Sequence, residues 1–324
     1  MKNKVILITN TNDITIDYVV KELKNRNIMY YRLNTDNIPN NINIDFDFEN
    51  ENFRILDLHK KIELNLHDFN SVYYRRPVIN SLDYLEEVSY NEKIYLQREL
   101  FAIFEGIYKI LEDKFWLNNV YRIREAENKI YQLILAKNIG FNTPETVISN
   151  NFSTIEKVVE KYKYNNIIKS IKNGYIDDNK VIFTSLIDNN IIKNQISMFP
   201  NFIQNNIEKS CDIRCTVIGN DVFSAEILSQ NEISGKIDWR RSKHILEHKK
   251  HKLPIDIELK CIELTKKLKL NYSAIDLVLD KNGKYVFLEV NPNGQWAWIE
   301  NILKFPISKK IVDILMSCKN IFNN

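Results

Sequence analysis

Residues 274–296 read AIDLVLDKNGKYVFLEVNPNGQW. The Asn282-Gly283 pair separates two runs rich in β-branched, aliphatic and aromatic residues, and a two-residue Asn-Gly loop between such runs predicts a β-hairpin. Closed as a type I′ turn, the hairpin pairs by counting outward: Lys281 faces Lys284, Asp280 faces Tyr285, Val278 faces Phe287, and Asp276 faces Glu289. Asn291 falls on the same face as Glu289, because side chains alternate with period 2. Two facing carboxylates repel unless positive charge lies between them. Asp276, Glu289 and Asn291 are therefore candidate ligands of a hard cation, and Mg2+ held by a few carboxylates usually serves substrate phosphates. A merely solvated outer face is the competing reading. Against it, Asn291-Pro292-Asn293-Gly294 stops the strand beside the cluster.

Working outward, the 324 residues allow two or three packed units. With 44% hydrophobic and 27% charged residues, the chain has the balance of an ordinary globular protein. Seven glycines and seven prolines are few, so short loops and no flexible linker are expected. No run of 18 apolar residues occurs, which predicts no membrane association through a spanning helix. The start MKNKVILITN is too short in its apolar part for a signal peptide. Cys211, Cys215, Cys261 and Cys318 have neither metal-type nor disulfide-framework spacing, so reduced thiols and a cytoplasmic location are expected. The net charge of +3 is too small to argue for nucleic acid as a partner. Its distribution is uneven: residues 236–252, KIDWRRSKHILEHKKHK, carry Lys236, Arg240, Arg241, Lys243, Lys249, Lys250 and Lys252 against two acids. That stretch reads either as a solvated loop or as a docking patch for an anionic partner. His244, His248 and His251 have helix-like spacing but no carboxylate or cysteine to complete a metal site, so they read as surface histidines.

Hydrophobic periodicity predicts a strand at 4–10, a helix at 14–23 and a strand at 29–33, the opening of a parallel α/β unit. Residues 41–66 alternate like antiparallel strands, and 71–74 read as a strand ending in Arg75-Arg76-Pro77. A long helix is expected over 91–117 with Leu96, Leu100, Ile103, Phe104, Ile107, Ile110 and Leu111 on one face. A second helix is expected over 126–139, stopped by Gly140 and Pro144. Further strands are expected at 166–170, 202–204, 213–218 and 221–228, the last two joined at Gly219-Asn220. The class is α/β followed by α+β. If a cation serves phosphates, no GxxxxGK[ST] or GxGxxG is present to cradle them. Isolated lysines must substitute. Lys129 lies in the first turn of its helix, where a cation is unhelpful to the dipole, and Lys169 ends an apolar strand.

The ordered set Lys129, Lys169, FIQNNIEKSCDIRCTVIG (202–219) and AIDLVLDKNGKYVFLEVNPNG (274–294) resembles the ATP-grasp carboxylate ligases. The resemblance implies an ATP-grasp fold: an N-terminal pre-ATP-grasp α/β domain with the long helix over 1–120, a central lobe over 121–200 and a C-terminal lobe with the metal site over 201–324. It implies ATP and Mg2+, with Lys129 and Lys169 on phosphates, Gln204, Asn205 and Ile207 as adenine hinge, Asp212 on the ribose, and Asp276, Glu289 and Asn291 on the metal. A carboxylate attacks the γ-phosphate, ADP leaves, and a nucleophile displaces phosphate from the acyl phosphate. Arg214 and Arg240 suit the carboxylate and the later oxyanion as catalytic groups.

Within that superfamily, Tyr73-Tyr74-Arg75-Arg76-Pro77, Ile237-Asp238-Trp239-Arg240 and the Asn-Pro-Asn-Gly-Gln-Trp ending at 291–296 resemble the microviridin-type peptide ligases, or graspetide synthetases. This implies a ribosomally made precursor peptide, with a leader and an acidic core whose Asp or Glu side chains are closed onto Thr or Ser hydroxyls or Lys amines. Arg75, Arg76 and Arg241 are then peptide-binding candidates. The long helix could read the leader or make a homodimer, or simply pack as core. An ATP-grasp ligase that adds an amino acid to a small molecule or protein C-terminus would share every nucleotide residue. The chain departs from the usual pattern at Ser170, at a phosphate loop with only Gly174, and at Gln204-Asn205 in place of Gln-Glu.

Overall fold

Val5, Ile6, Leu7 and Ile8 are all fully buried, as a parallel strand covered on both faces requires. They belong to β1 (Lys4–Thr9) of a computed structural model that describes residues 4–163, 165–172, 175–177, 180–181, 183–187, 199–242, 244 and 246–323. Gly174 and Lys243 lie outside the described residues. The chain packs as two units, one of Met1–Arg122, Gln295–Glu300 and Pro306–Asn324, the other of Ile123–Gly294 and Asn301–Phe305.

In the first unit, α1 (Ile14–Asn25) begins where the Asp13 carboxylate accepts the Thr15 N–H, and it buries Ile16, Val19 and Leu23. β2 (Met29–Asn34) returns parallel to β1. The alternating stretch folds as β3 (Ile42–Asp47), β4 (Asn52–Asp57) and β5 (Ile62–Asn65), an antiparallel sheet of its own. β6 (Ser71–Tyr74), α2 (Tyr90–Ile110) and β7 (Phe115–Trp116) follow, giving a parallel sheet of order β2-β1-β6-β7.

The long helix is shorter than expected. It ends at Ile110, and Phe115–Trp116 pairs beside β6, with the Trp116 indole donating to the Leu111 carbonyl at 2.8 Å. Apolar residues resume at Phe115 after Glu112-Asp113-Lys114, so periodicity alone carries the helix too far. The apolar face of the helix packs as core: Phe104, Ile107, Tyr108 and the following Leu111 cluster with Ile6, Ile8, Phe69 and Trp116. Tyr90, Tyr95 and Phe101 are the large apolar side chains that α2 exposes.

The second unit starts within α3 (Val120–Ala126). The helix expected from 126 is divided: α4 (Lys129–Ile139) begins afresh at Asn128, whose side chain accepts the Ile130 and Tyr131 N–H groups, and ends at Gly140 with φ +87°. Then come β8 (Thr146–Ser149), α5 (Phe152–Lys161), β9 (Asn166–Lys169), β10 (Tyr175–Asp177), β11 (Lys180–Val181), β12 (Ser185–Leu186) and β13 (Asn201–Asn205). They form an antiparallel sheet of order β12-β9-β13-β8, with β10 and β11 as a separate pair. α5 covers one face through Ile155 and Val159 against Ile203.

β14 (Lys209–Ile218), β15 (Asp221–Ile227), β16 (His248–His251), α6 (Ile255–Lys267), β17 (Tyr272–Asp280) and β18 (Tyr285–Asn291) complete this unit. Their five-stranded antiparallel sheet has the order β16-β15-β14-β17-β18. Ile213, Cys215, Ile275, Leu277, Phe287 and Val290 fill its core face together with Leu133 and Ala136 of α4 and Cys261 and Leu264 of α6. The opposite face is left for polar groups. α7 (Ala297–Leu303) and α8 (Ile307–Ser317) close the chain. α8 packs on α1 in the first unit, burying Ile307, Ile311, Val312 and Leu315. The grouping of everything after 201 into one lobe thus differs from the packing, which returns the last helix to the N-terminal unit. Among the described residues no helix is long and apolar enough to cross a membrane.

Candidate active site

Asp276 stands directly opposite Glu289, as counting from the turn requires, but by a different route. The Asp280 N–H bonds the Lys284 carbonyl at 2.9 Å, so the loop has three residues, with Gly283 left-handed at φ +78°. Pairing then runs Leu279 with Tyr285, Val278 with Val286 and Leu277 with Phe287, one step off the expected Val278–Phe287. A β-bulge at Leu288 inserts one residue and restores Asp276 to Glu289. Asn291, opposite Ala274, shares their face.

Arg214 on β14 faces Asp276 across the next pair of strands, so Arg214, Asp276 and Glu289 form a row over three strands. The Arg214 Nη1 donates to Asp276 Oδ1 at 2.8 Å. Glu289 lies 3.3 Å from Lys129 Nζ and 3.5 Å from Arg240 Nη1. Burial alone would raise the Glu289 carboxyl, but Lys129, then Arg240 and Lys169, outweigh it and hold its pKa at about 2. It is an anion at any physiological pH. Burial pushes the Lys169 ammonium down to about 8, Glu289 pulling it back up and Lys129 adding to the depression. Arg214 and Arg240 are both raised: burial opposes their charge, and Asp276 for the first and Glu289 for the second overcome it.

A cavity of about 360 Å³ opens above this row. Lys129, Lys169, Asp212, Arg240, Asp276, Glu289 and Asn291 all line it, as do Gln132, Lys172 and Trp239, to which no role was assigned from sequence. Two sheets of one unit supply these groups. Lys169 and Ile167 project from β9 on the face away from α5, and the Lys169 Nζ sits 5.1 Å over the Phe202 ring.

Other expected residues are placed differently. Gln204, Asn205 and Ile207 do not line the cavity. Gln204 is fully buried with its amide donating to Thr146 Oγ1 at 2.8 Å, and Asn205 Oδ1 accepts the Glu145 N–H at 2.7 Å. Those side chains hold β8 to β13, and the Asn205 N–H is itself taken by the Glu145 carbonyl at 3.1 Å. Asp212 reaches the cavity with its carboxylate already bonded by Lys209 at 2.8 Å and by Ser229 Oγ. Burial raises its pKa although Lys209 pulls the other way. Arg214 does not line the cavity and stands behind Asp276. Arg75, expected on a peptide surface, is fully buried and ion-paired to Asp13 at 3.0 Å, so it holds its unit together. Arg76 is exposed with φ +48°, its carbonyl accepting from Asn10 Nδ2 at 2.6 Å. Arg241 is exposed, 5.9 Å over Phe183.

Asp238 also lines the cavity, and composition could not separate it from the basic stretch around it. Nearly buried, it takes Arg240 Nε at 2.9 Å and Nη2 at 3.2 Å and caps the short helical turn carrying that arginine. The spacing of two residues between acid and arginine is the signal that was there to find. His248 and His251 lie on a strand, and His251 is bonded between Glu226 at 3.1 Å and Tyr285 at 2.8 Å. The final motif divides at Gly294: Gln295 and Trp296 belong to the first unit, where the fully buried indole donates to Tyr73 OH at 3.3 Å and stands edge-on to Tyr18.

Residues 4–124 match the MvdD pre-ATP grasp domain, and residues 126–315 match the RimK-like ATP-grasp domain. No curated protein matches the chain. Among solved structures, the macrocyclase MdnC of Microcystis aeruginosa MRC, bound with its precursor peptide MdnA, is 27% identical, with a TM-score of 0.86 over 97% of this chain and 99% of that one. A RiPP-associated ATP-grasp ligase of Chryseobacterium gregarium, in complex with ADP and a leader and core peptide, is 27% identical, with a TM-score of 0.87 over 98% and 97%. PsnB, an ATP-grasp ligase complexed with a minimal precursor, has the same fold at 16% identity, with a TM-score of 0.79 over 98% and 99%. With one domain matched over more than half its length and the other ahead of it, the chain belongs to the RimK-like ATP-grasp ligases that carry an MvdD pre-ATP grasp domain.

Proposed function

We propose that the protein closes a ribosomally made precursor peptide into macrocycles, consuming one ATP per bond. The reading is supported above all by the oxygen-bearing cluster of Asp276, Glu289 and Asn291 on one face of the sheet, lining a cavity together with Lys129, Lys169 and Arg240. It is supported also by full-length similarity to ligases crystallised with precursor peptides. An Asp or Glu carboxylate of the core attacks the γ-phosphorus of ATP, the bond to the β-phosphate oxygen breaks, and ADP departs. A Thr or Ser hydroxyl, or a Lys amine, then adds to the acyl carbon, loses its proton, and expels phosphate. The peptide loses the elements of water at each ω-ester or ω-amide formed.

Mg2+ fits the donor set. Asp276 and Glu289 present hard carboxylate oxygens on one face, Glu289 stays ionised, and the Asn291 amide oxygen, which accepts the Asn293 N–H at 3.0 Å, keeps a second lone pair. Among the described residues no group of three or more His, Cys, Asp or Glu could hold a metal alone, so substrate phosphates would complete the shell. When bound, the ion would neutralise phosphate charge. Lys129 and Lys169 would turn from Glu289 to the β- and γ-phosphates and release that carboxylate to the metal. Arg240, half exposed and aimed by Asp238, is suited to the incoming carboxylate and the later oxyanion. Arg214, behind Asp276, would fix that carboxylate. Arg76 and Arg241 remain candidates for the acidic core; Arg75 does not. Positioning and charge carry most of such a reaction.

Intact mass tests the reading directly. An acidic precursor peptide incubated with the protein, ATP and Mg2+ should lose one water mass per step, and Glu289→Ala should abolish the loss. Mild alkali opens esters and leaves amides. A gain in mass would instead favour a ligase that adds a residue.

A further inference from the structure

β18 is an edge strand, and its bulge changes which backbone groups face outward. Before the bulge the outward groups belong to Tyr285 and Phe287; after it they belong to Val290. Both stretches are covered. The Phe287 N–H donates to the Asn142 carbonyl at 2.8 Å, and Asn142 Nδ2 donates to the Tyr285 carbonyl at 3.2 Å. At Val290 a side chain does what a sixth strand would do. Gln132 Oε1 accepts the Val290 N–H at 2.8 Å, and Gln132 Nε2 donates to the Val290 carbonyl at 2.8 Å and to the Ala126 carbonyl at 2.6 Å. Gln132 is 2% exposed.

We infer that Gln132 is a positioning residue that sets the metal-binding strand against the phosphate-binding helix. Val290 lies between Glu289 and Asn291, so fixing its peptide groups fixes the direction of both neighbouring side chains. Gln132 also lies one turn along α4 from Lys129, which ties the Lys129 ammonium to its 3.3 Å distance from Glu289. A shorter, longer or apolar side chain at 132 leaves the strand edge open where the register has just shifted. The inference rests on the proposed roles of Glu289, Asn291 and Lys129.

The test compares Gln132→Met, of similar length without donor or acceptor, with Leu133→Ala on the core side of the same helix. Binding of Mn2+–ADP is read by electron paramagnetic resonance, together with melting temperature and backbone amide exchange over 285–294. Gln132→Met should weaken Mn2+–ADP binding about 10–100-fold, the usual loss for an outer-shell partner, and speed exchange at Val290. Leu133→Ala should lower the melting temperature and leave that affinity unchanged. Affinity within about twofold of wild type in a folded Gln132→Met protein, against the loss expected of an outer-shell partner, overturns the inference. If Gln132→Met does not fold, wild-type exchange decides: Val290 protected like the interior of β17 supports the clamp, and exchange as fast as an unbonded edge amide overturns it. Absence of Mn2+–ADP binding in the wild type would refute the functional reading instead, and the exchange measurement would still decide the clamp.

Discussion

Glu289 meets three cations within one cavity wall, and that arrangement makes the site's charge state depend on pH through Lys169. The Lys169 pKa of about 8 arises from burial, partly offset by Glu289. Below pH 8 the ammonium is available to phosphate; above it the amine is neutral. We expect kcat/KM for ATP, which reports the free enzyme, to fall above about pH 8, and Lys169→Arg to move that alkaline limb upward. Stability runs the other way: between about pH 8 and 10.5 the unfolded chain holds a proton that folded Lys169 has lost, so stability rises with pH. Gly294 is a second sensitive position. A Cβ there would sit 2.5 Å from Ala274 Cβ and 2.7 Å from Arg214 Nη2. Gly294→Ala should cost about 1–3 kcal/mol as overpacking and reduce turnover by moving Arg214 from Asp276. Ala274→Gly added to it should recover melting temperature and not turnover. Asp276, Glu289, Asn291, Lys129 and Lys169, all of which line the cavity, were conspicuous in the sequence as acids facing across a hairpin and as lysines at the start of a helix and the end of a strand. Gln132 and Asp238 were not, since an amide or an acid next to a basic run reads as surface until its partners are seen.

Among the elements, the hairpin shows how a correct pairing can hide two opposed departures. A loop of three residues shifts the register by one, and the bulge at Leu288 shifts it back. The sequence marks a turn at Asn282-Gly283, but turn type depends on which carbonyl Asp280 N–H finds, and bulges carry no compositional mark. Gly283 has φ +78° with open space around its Cβ position. Gly283→Ala should therefore cost about 1–2 kcal/mol from backbone conformation alone, seen as a lower melting temperature with unchanged kcat. The α4 boundary teaches the same lesson. Apolar periodicity runs through 126–139, and only Asn128, bonding two N–H groups, reveals a new helix start with Lys129 as its first residue. That placement puts a lysine at a helix N-terminus, an unfavourable position for a cation, and Glu289 at 3.3 Å compensates for it.

Across the molecule, α8 completes the parallel-sheet unit that the first 122 residues begin. It buries Ile307, Ile311, Val312 and Leu315, each worth about 1.5–3 kcal/mol. That total approaches the roughly 5–15 kcal/mol stability of a whole domain. A chain truncated after Leu303 should lose the cooperative unfolding of this unit, measurable as a missing calorimetric transition, while residues 123–294 keep their own core. Local pattern along the chain was enough for the class and for most of the strand and helix order of the first 122 residues, because periodicity acts between near neighbours. The facing of Asp276 and Glu289 came right only because the bulge cancels the register shift of the loop. Local pattern was enough for the family too, because the Asn-Pro-Asn-Gly-Gln-Trp ending is specific. Which arginines are exposed had to wait for the folded chain. Arg75 and Arg76 are adjacent and identical in sequence terms, yet one is buried on Asp13 and the other faces solvent. The fold likewise sets Arg214 behind Asp276 and has a glutamine finish the edge of the strand that carries Glu289. Burial and long-range hydrogen bonds join residues as far apart as Gln132 and Val290, and no local pattern along the chain encodes such a pairing.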